Sequence, residues 1–274
     1  MRPSFKYLTL FLTLLFVVAC KTSPFTGEKT LNFVSNDQLF PMAFQQYNQF
    51  LAENPVVTGT EESRMVKRVG ENIAAAAERY MTALGYPGYL KDYRWEYNLV
   101  RDDARNAWCM PGGKIVVYTG ILPITQDETG LAIVMGHELA HALANHGAQR
   151  MSAAQVQQLG AVGVAVAAGG EDAQRQQQVM QLYGVGSTVL GTLPFSRKHE
   201  NEADKIGLTI AAIAGYNPYE GAELWRRMQE ASNGQEPPQL LSTHPSTSTR
   251  IQNLQQLAPV AAAEAEKFGV TSFK

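Results

Sequence analysis

Residues 135–147 read MGHELAHALANHG, with His137 and His141 four apart and Glu138 directly after the first. Residues four apart on a helix lie on one face, one turn from each other. Two imidazoles so placed can offer ring nitrogens to a single ion, with Glu138 set to act as a base on a water beside it. Small and apolar neighbours make this a buried helix. Imidazoles and carboxylates taken out of water cost free energy unless something satisfies them. A metal site does so; the other reading is a core helix whose polar groups find partners elsewhere.

A catalytic zinc has three protein ligands and one open position, so a third ligand is expected further along the chain. HENEAD (199–204) supplies the candidates. Glu200 and Asp204 share a helical face, whereas Glu202 lies roughly 200° around from Glu200 at about 100° per residue. That favours Glu200 as ligand, with Asp204 accepting a hydrogen bond from a ligating imidazole. Glu202 is the alternative ligand, but no acid follows it one turn on.

These residues need elements to carry them. SNDQLFPMAFQQYNQFLAEN (35–54) and the stretch from Thr60 to Leu84 have helical spacing, the second stopping at Gly85 and Pro87. YRWEYNLV (93–100), NAWCM (106–110) and KIVVYTGIL (114–122) read as extended, which predicts a small sheet of three or four strands. Thr125 with Glu128 predicts a capping box opening the helix of the two histidines, and Gly147 is placed to end it. GAVGVAVAAGG (160–170) is about half the length a membrane span needs, so it reads as a buried or lid-forming hairpin helix. Helices are expected from Arg197 to near Gly215, over 219–232 and, after a Pro-rich loop and STHPSTSTR (242–250), at the end. The expected class is α+β, predominantly helical.

A chain of 274 residues, 45% of them hydrophobic, suits one large domain or two small ones, and a net charge of -2 gives no electrostatic reason to expect nucleic acid. With only Cys20 and Cys109, no disulfide framework supports the fold. Cys109 lies in an apolar, strand-like run without a Cys-His signature, and packing explains it. Arg2 and Lys6 precede an apolar run, Tyr7 to Ala19, too short to span a bilayer and shaped like a secretory signal. VVAC (17–20) resembles the lipobox of bacterial lipoproteins, in which the chain is cut before a cysteine, here Cys20, that then carries lipid. The alternative is an ordinary signal with a chance cysteine. Lys21 and Thr22 follow with no Asp, so that resemblance implies the outer membrane, with the globular part facing the periplasm. The expected organisation is a signal over 1–19, a tether over 20–34 and one domain over 35–274.

Four separated motifs, NAWCMPGGKIVVYTGIL (106–122), HELAH (137–141), SRKHENEAD (196–204) and STHPSTSTR (242–250), fall in an order that resembles the gluzincin family of CAAX-type prenyl endopeptidases, peptidase family M48. The likeness is to its soluble bacterial members and the mitochondrial Oma-type proteases in particular. The membrane-embedded members carry several spanning helices, and this chain shows none, so prenylated-peptide processing is not carried over. The resemblance implies a gluzincin-like fold whose small sheet has its edge strand before the active helix. It implies one zinc per chain on His137, His141 and Glu200, with Glu138 as general base and Asp204 behind a ligand. It also implies that an edge strand at Gly113, Lys114, Ile115 and Val116 binds extended or unfolded polypeptide by strand addition, Gly112 and Gly113 leaving room for close approach.

In periplasmic relatives the histidine matching His244 caps the zinc as a fourth ligand and restrains activity. His244 as an oxyanion donor, or as a cap on the last helix with Ser246, are the alternatives. His146, five past His141 and so off the ligand face, and His199 read as surface or packing histidines, and Arg250 as either an anchor for the His244 loop or a solvated charge. The resulting expectation is a lipid-anchored zinc endopeptidase of the bacterial envelope that cleaves unfolded or misassembled proteins. Its rival is a zinc-bearing, chaperone-like lipoprotein that binds unfolded strands with little proteolysis.

Overall fold

The computed structural model describes residues 20–167, 196–232, 239–244 and 248–274. In chain order the elements are β1 (Cys20–Thr22), β2 (Lys29–Leu31), α1 (Asn36–Glu53), β3 (Val56–Val57), α2 (Glu61–Ala83), β4 (Glu96–Val100), β5 (Ala107–Met110) and β6 (Lys114–Tyr118). Then follow α3 (Leu122–Thr125), α4 (Glu128–Leu143), α5 (His146–Ala167), α6 (Arg197–Ile213), α7 (Glu220–Glu230), α8 (Gln239–Thr243) and α9 (Ser248–Glu266). The class is α+β and predominantly helical.

The chain divides into two compact units, Asn36–His146 with Thr192–Lys274, and Met1–Ser35 with Gly147–Gly191. In the described part of the second unit, residues expected as a tether form an antiparallel hairpin of β1 and β2, Cys20 opposite Leu31. The Phe33 N–H donates to the Ser152 hydroxyl of α5 at 3.0 Å. The residues read as a signal, the far end of the apolar stretch 160–170 and the Pro-rich loop lie outside the described residues. No helix among the described residues is long and apolar enough to cross a membrane.

In the first unit, β3, β4, β6 and β5 lie side by side in that order. β4 runs parallel to β6, and the two outer pairs are antiparallel. Tyr47 of α1 packs with Val100, Val116 and Tyr118 on the sheet, and its hydroxyl accepts from the Asn98 amide. Thr60 caps α2, accepting from the Ser63 N–H while the Ser63 hydroxyl accepts in return, as the sequence suggested for the helix start. Gly70 of α2 gives room to the Tyr97 ring of β4.

Gly113, Lys114, Ile115 and Val116, expected on an edge strand, are interior. β6 pairs with β4 on one side and β5 on the other, so it has no free edge to offer. Ile115 and Val116 are fully buried, and the Lys114 ammonium is 2.6 Å from a Glu96 carboxylate oxygen and beside the Phe44 and Tyr47 rings. The described sheet ends at β3 on one side and at β5 on the other, and β5 packs against α4, which carries His137 and His141.

The helix α4 is buried from Thr129 to Leu143. Its cap is Asp127, whose carboxylate accepts from the Gly130 N–H at 2.9 Å; Thr125 instead ends α3 and donates to the Leu122 carbonyl. Its end is also earlier than Gly147. Asn145, at φ 56°, takes the left-handed position after the C-cap Ala144, and Gly147 already belongs to α5. Asn is among the few side chains that tolerate this conformation.

What brings the two motif helices together is a pair of glycines. A Cβ on Gly136 of α4 would stand 2.9 Å from the Gly207 carbonyl oxygen of α6, and one on Gly207 would stand 2.8 Å from the His137 nitrogen. Only glycine permits backbones this close. The contact seats His137, one residue along, against the stretch of α6 that carries Glu200 and Asp204. On its far side α6 packs on α9, which carries Arg250.

Candidate metal centre

His137, His141, Glu200 and His244, all buried, bring one potential ligand atom each to within 4.8 Å of one another. The Nε2 atoms of His137 and His141 are 3.1 Å apart, and His137 Nε2 is 3.2 Å from His244 Nδ1. Glu200 Oε1 lies 2.9 Å from His244 Nδ1 and 3.4 Å from His141 Nε2. Four donors around a tetrahedral zinc with bonds of about 2.0–2.1 Å stand roughly 3.4 Å apart. The group therefore has the donor chemistry and the span of a zinc site, and it fits one zinc ion. Glu202, the alternative ligand, is not in it.

The protonation pattern suits ligation. His137 Nδ1 is 3.0 Å from Asp204 Oδ1, a carboxylate that can only accept, so the ring proton sits on Nδ1 and Nε2 keeps its lone pair. Burial, with the neighbouring imidazoles, holds the His141 pKa well below its usual value, which keeps the ring neutral. Burial alone would raise Asp204, but Arg250 and His137 hold its pKa down to about 2. Burial likewise works against the Glu200 carboxylate, and His244, His137 and Arg250 turn it below the ordinary range.

Arg250 is an anchor, fully committed inside the protein. Its Nε and Nη2 donate to the two Asp204 oxygens at 2.8 and 2.7 Å, and its Nη1 is 2.7 Å from Glu200 Oε2. Nη1 also reaches the His244 carbonyl at 3.4 Å, and the guanidinium lies over the Trp225 ring, 3.6 Å from its centre. One planar fork thus ties α6, α7 and the His244 segment together. Of the two sequence readings for this residue, the solvated charge is ruled out by its 4% exposure.

Glu138 is buried beside the group, with Oε1 3.5 Å from His244 Nε2. Burial raises its pKa, against the opposing pull of His244 and His137. His244 itself is buried, with a ring nitrogen among the donor atoms. Burial would lower its pKa, but Glu138 and Glu200 raise it above the usual histidine value. Cys109 of β5 is half-buried, its pKa pushed well up by desolvation and then by the Glu138 charge, which fits the packing reading and puts β5 close to the base.

His146 departs from its sequence reading. The helical wheel put it off the ligand face, but α4 ends at Leu143, and the left-handed Asn145 turns the chain back. The His146 ring is fully buried with Nδ1 2.9 Å from His141 Nδ1, and its Nε2 is 3.3 Å from Glu202 Oε2. His199 stacks on it at 4.4 Å between ring centres. The signal that would have found this is Asn145, a good left-handed stop directly before the histidine.

The model of Peptidase family M48 matches residues 62–258, well over half of the chain. The mitochondrial metalloendopeptidase OMA1 of Schizosaccharomyces pombe is 32% identical over 248 residues, 89% of this chain and 68% of that protein. The human metalloendopeptidase OMA1, mitochondrial, is 31% identical over 265 residues, 90% of this chain and 48% of its own length. The beta-barrel assembly-enhancing protease of Escherichia coli is 24% identical over 263 residues, 92% of this chain and 51% of its own length. The chain spans about half the length of these last two relatives.

Proposed function

The chain belongs to the zinc metallopeptidases of peptidase family M48, and from that premise we propose that it is an endopeptidase of the bacterial cell envelope acting on unfolded or misassembled proteins. The observation that carries this reading is the buried Glu138 beside a four-donor group, with the outer strand of the sheet packed next to both. His137, His141 and Glu200 hold the zinc, and Asp204 and Arg250 hold His137 in place. When bound, zinc lowers the pKa of a water and polarises the scissile carbonyl. Glu138 takes the proton from the attacking water and passes it to the leaving amine. Its burial raises its proton affinity toward the range a general base needs.

Substrate backbone adds to β5, in place of the β6 residues the sequence suggested. An outer strand reads extended chain through main-chain hydrogen bonds, with little demand on side chains. That is the recognition an unfolded protein can satisfy. His244 acts as a fourth donor that restrains the resting enzyme, because its ring takes up room that water and carbonyl need. The alternative of a strand-binding protein with little proteolysis draws on the same ring, but Glu138, fully equipped as a base, favours the enzyme.

The envelope setting is supported by the signal-like N-terminus, by Cys20 as a lipid carrier, and by one relative's name, which speaks of beta-barrel assembly. The outer membrane, facing the periplasm, is the proposed location.

The test uses casein as an unfolded substrate. The unaltered chain with one zinc should cleave it, and chelation should stop cleavage. Glu138→Gln should keep the zinc and lose cleavage by about 10²–10⁴-fold, the worth of a general base. Equal cleavage by Glu138→Gln and the unaltered chain rejects the assignment. For the anchor, Cys20→Ser should abolish lipid labelling and release the protein from the membrane fraction; retention there with an uncut N-terminus identifies a signal anchor instead.

A further inference from the structure

His141 needs its proton on Nδ1, because its Nε2 faces the donor group, 3.1 Å from His137 Nε2 and 3.4 Å from Glu200 Oε1. Against that Nδ1 lies another ring nitrogen, His146 Nδ1, at 2.9 Å, so one of the two must donate and the other accept. If His146 accepts, its own proton sits on Nε2, which faces the Glu202 carboxylate at 3.3 Å. Both of these His146 contacts then pair a donor with an acceptor. In the reverse assignment the His146 lone pair faces carboxylate lone pairs, and the His141 proton is driven onto Nε2, into the donor group. Only the first arrangement leaves His141 a lone pair for a metal.

We propose that His146 and Glu202 are a positioning pair that fixes the tautomer and orientation of His141, through the hydrogen-bonded chain Glu202–His146–His141. Neither residue is a member of the donor group. The pair does for His141, through an intervening imidazole, what Asp204 does directly for His137. Its placement follows from the chain. α4 ends two residues after His141, Asn145 reverses the backbone, and His146 lands between His141 and Glu202 of α6. The His199 ring, stacked on His146 with 23° between planes, keeps that ring from swinging away.

The test reads zinc binding and ring protonation, so it stands apart from the substrate reading above. Zinc affinity of the full chain is measured by competition with a chromogenic chelator, beside the melting temperature of the metal-stripped protein. His146→Phe keeps the ring packing and Glu202→Leu removes the acceptor; each should weaken zinc binding about 10–100-fold. Glu202→Gln still offers an oxygen that accepts, and should stay within about threefold of the unaltered chain. A merely structural role lowers the metal-free melting temperature and leaves zinc affinity alone; His146→Phe and Glu202→Leu within about threefold of the parent would overturn the proposal. A measurement without variants guards against misfolding. In the unaltered zinc-loaded chain, ¹⁵N NMR of the histidine rings should find the His146 proton on Nε2. A proton on its Nδ1 overturns the proposal.

Discussion

His137 and His141 sit one helical turn apart and present the same ring atom to the same point, yet the groups behind them differ. His137 leans on Asp204, a carboxylate 3.0 Å away that Arg250 grips with two donors. His141 leans on His146, a second imidazole, and only through it on the Glu202 carboxylate. The first partner is charged, locked by a guanidinium and almost without exposure. The second is a relay whose terminal carboxylate keeps 11% of its side-chain surface exposed. A short motif with two formally equal histidines thus yields one stiffly and one more softly supported ring. The stiff side also holds Glu200 and the His244 segment, since Arg250 touches all three.

Zinc titrations grade this asymmetry. The largest effect belongs to the carboxylates two residues apart on α6. Glu200→Gln removes a ligand and should cost more than the 10–100-fold typical of changes behind a ligand, whereas Glu202→Gln should change affinity by no more than about threefold. The opposite ranking would put the ligand on the wrong face of α6 and dissolve the comparison. Next comes the stiff side: Asp204→Asn should weaken zinc binding about 10–100-fold, with the guanidinium losing its charged partner at the same time. An unchanged affinity would mean that both histidines are softly held.

The smallest effect on zinc is expected from His244→Ala, since three ligands remain. There cleavage decides, and it should rise, self-cleavage included, once the fourth donor is gone. A loss of about 10²–10³-fold in kcat with zinc retained would instead make His244 an oxyanion donor.

Much of the centre was legible in the residues. His137, Glu138 and His141 follow from a four-residue spacing, and Glu200 over Glu202 follows from about 100° per residue on a helix. Asp204 behind a ligand came from the same face argument. α2 was legible to within a residue at each end, Glu61–Ala83 against an expected stretch from Thr60 to Leu84 that stops at Gly85. The failures are local too. Thr125 and Gly147 looked like helix signals and were passed over for Asp127 and Asn145, and the wheel that dismissed His146 assumed a helix that had already stopped.

The sequence by itself determined which side chains have the types and spacing to hold a zinc ion and which family the chain resembles. Local spacing suffices for that, because helical periodicity relates residues within a few turns. Tertiary structure decided everything that depends on separate elements meeting. It put β6 inside the sheet and β5 at its end, because strand order depends on pairing between segments and no single segment records it. It made Gly136 and Gly207 a contact, each glycine meaningful only opposite the other. It brought Arg250 to Asp204, Glu200 and the His244 carbonyl, and it set Glu202, wrong by its face for a ligand, behind the His141 imidazole through His146.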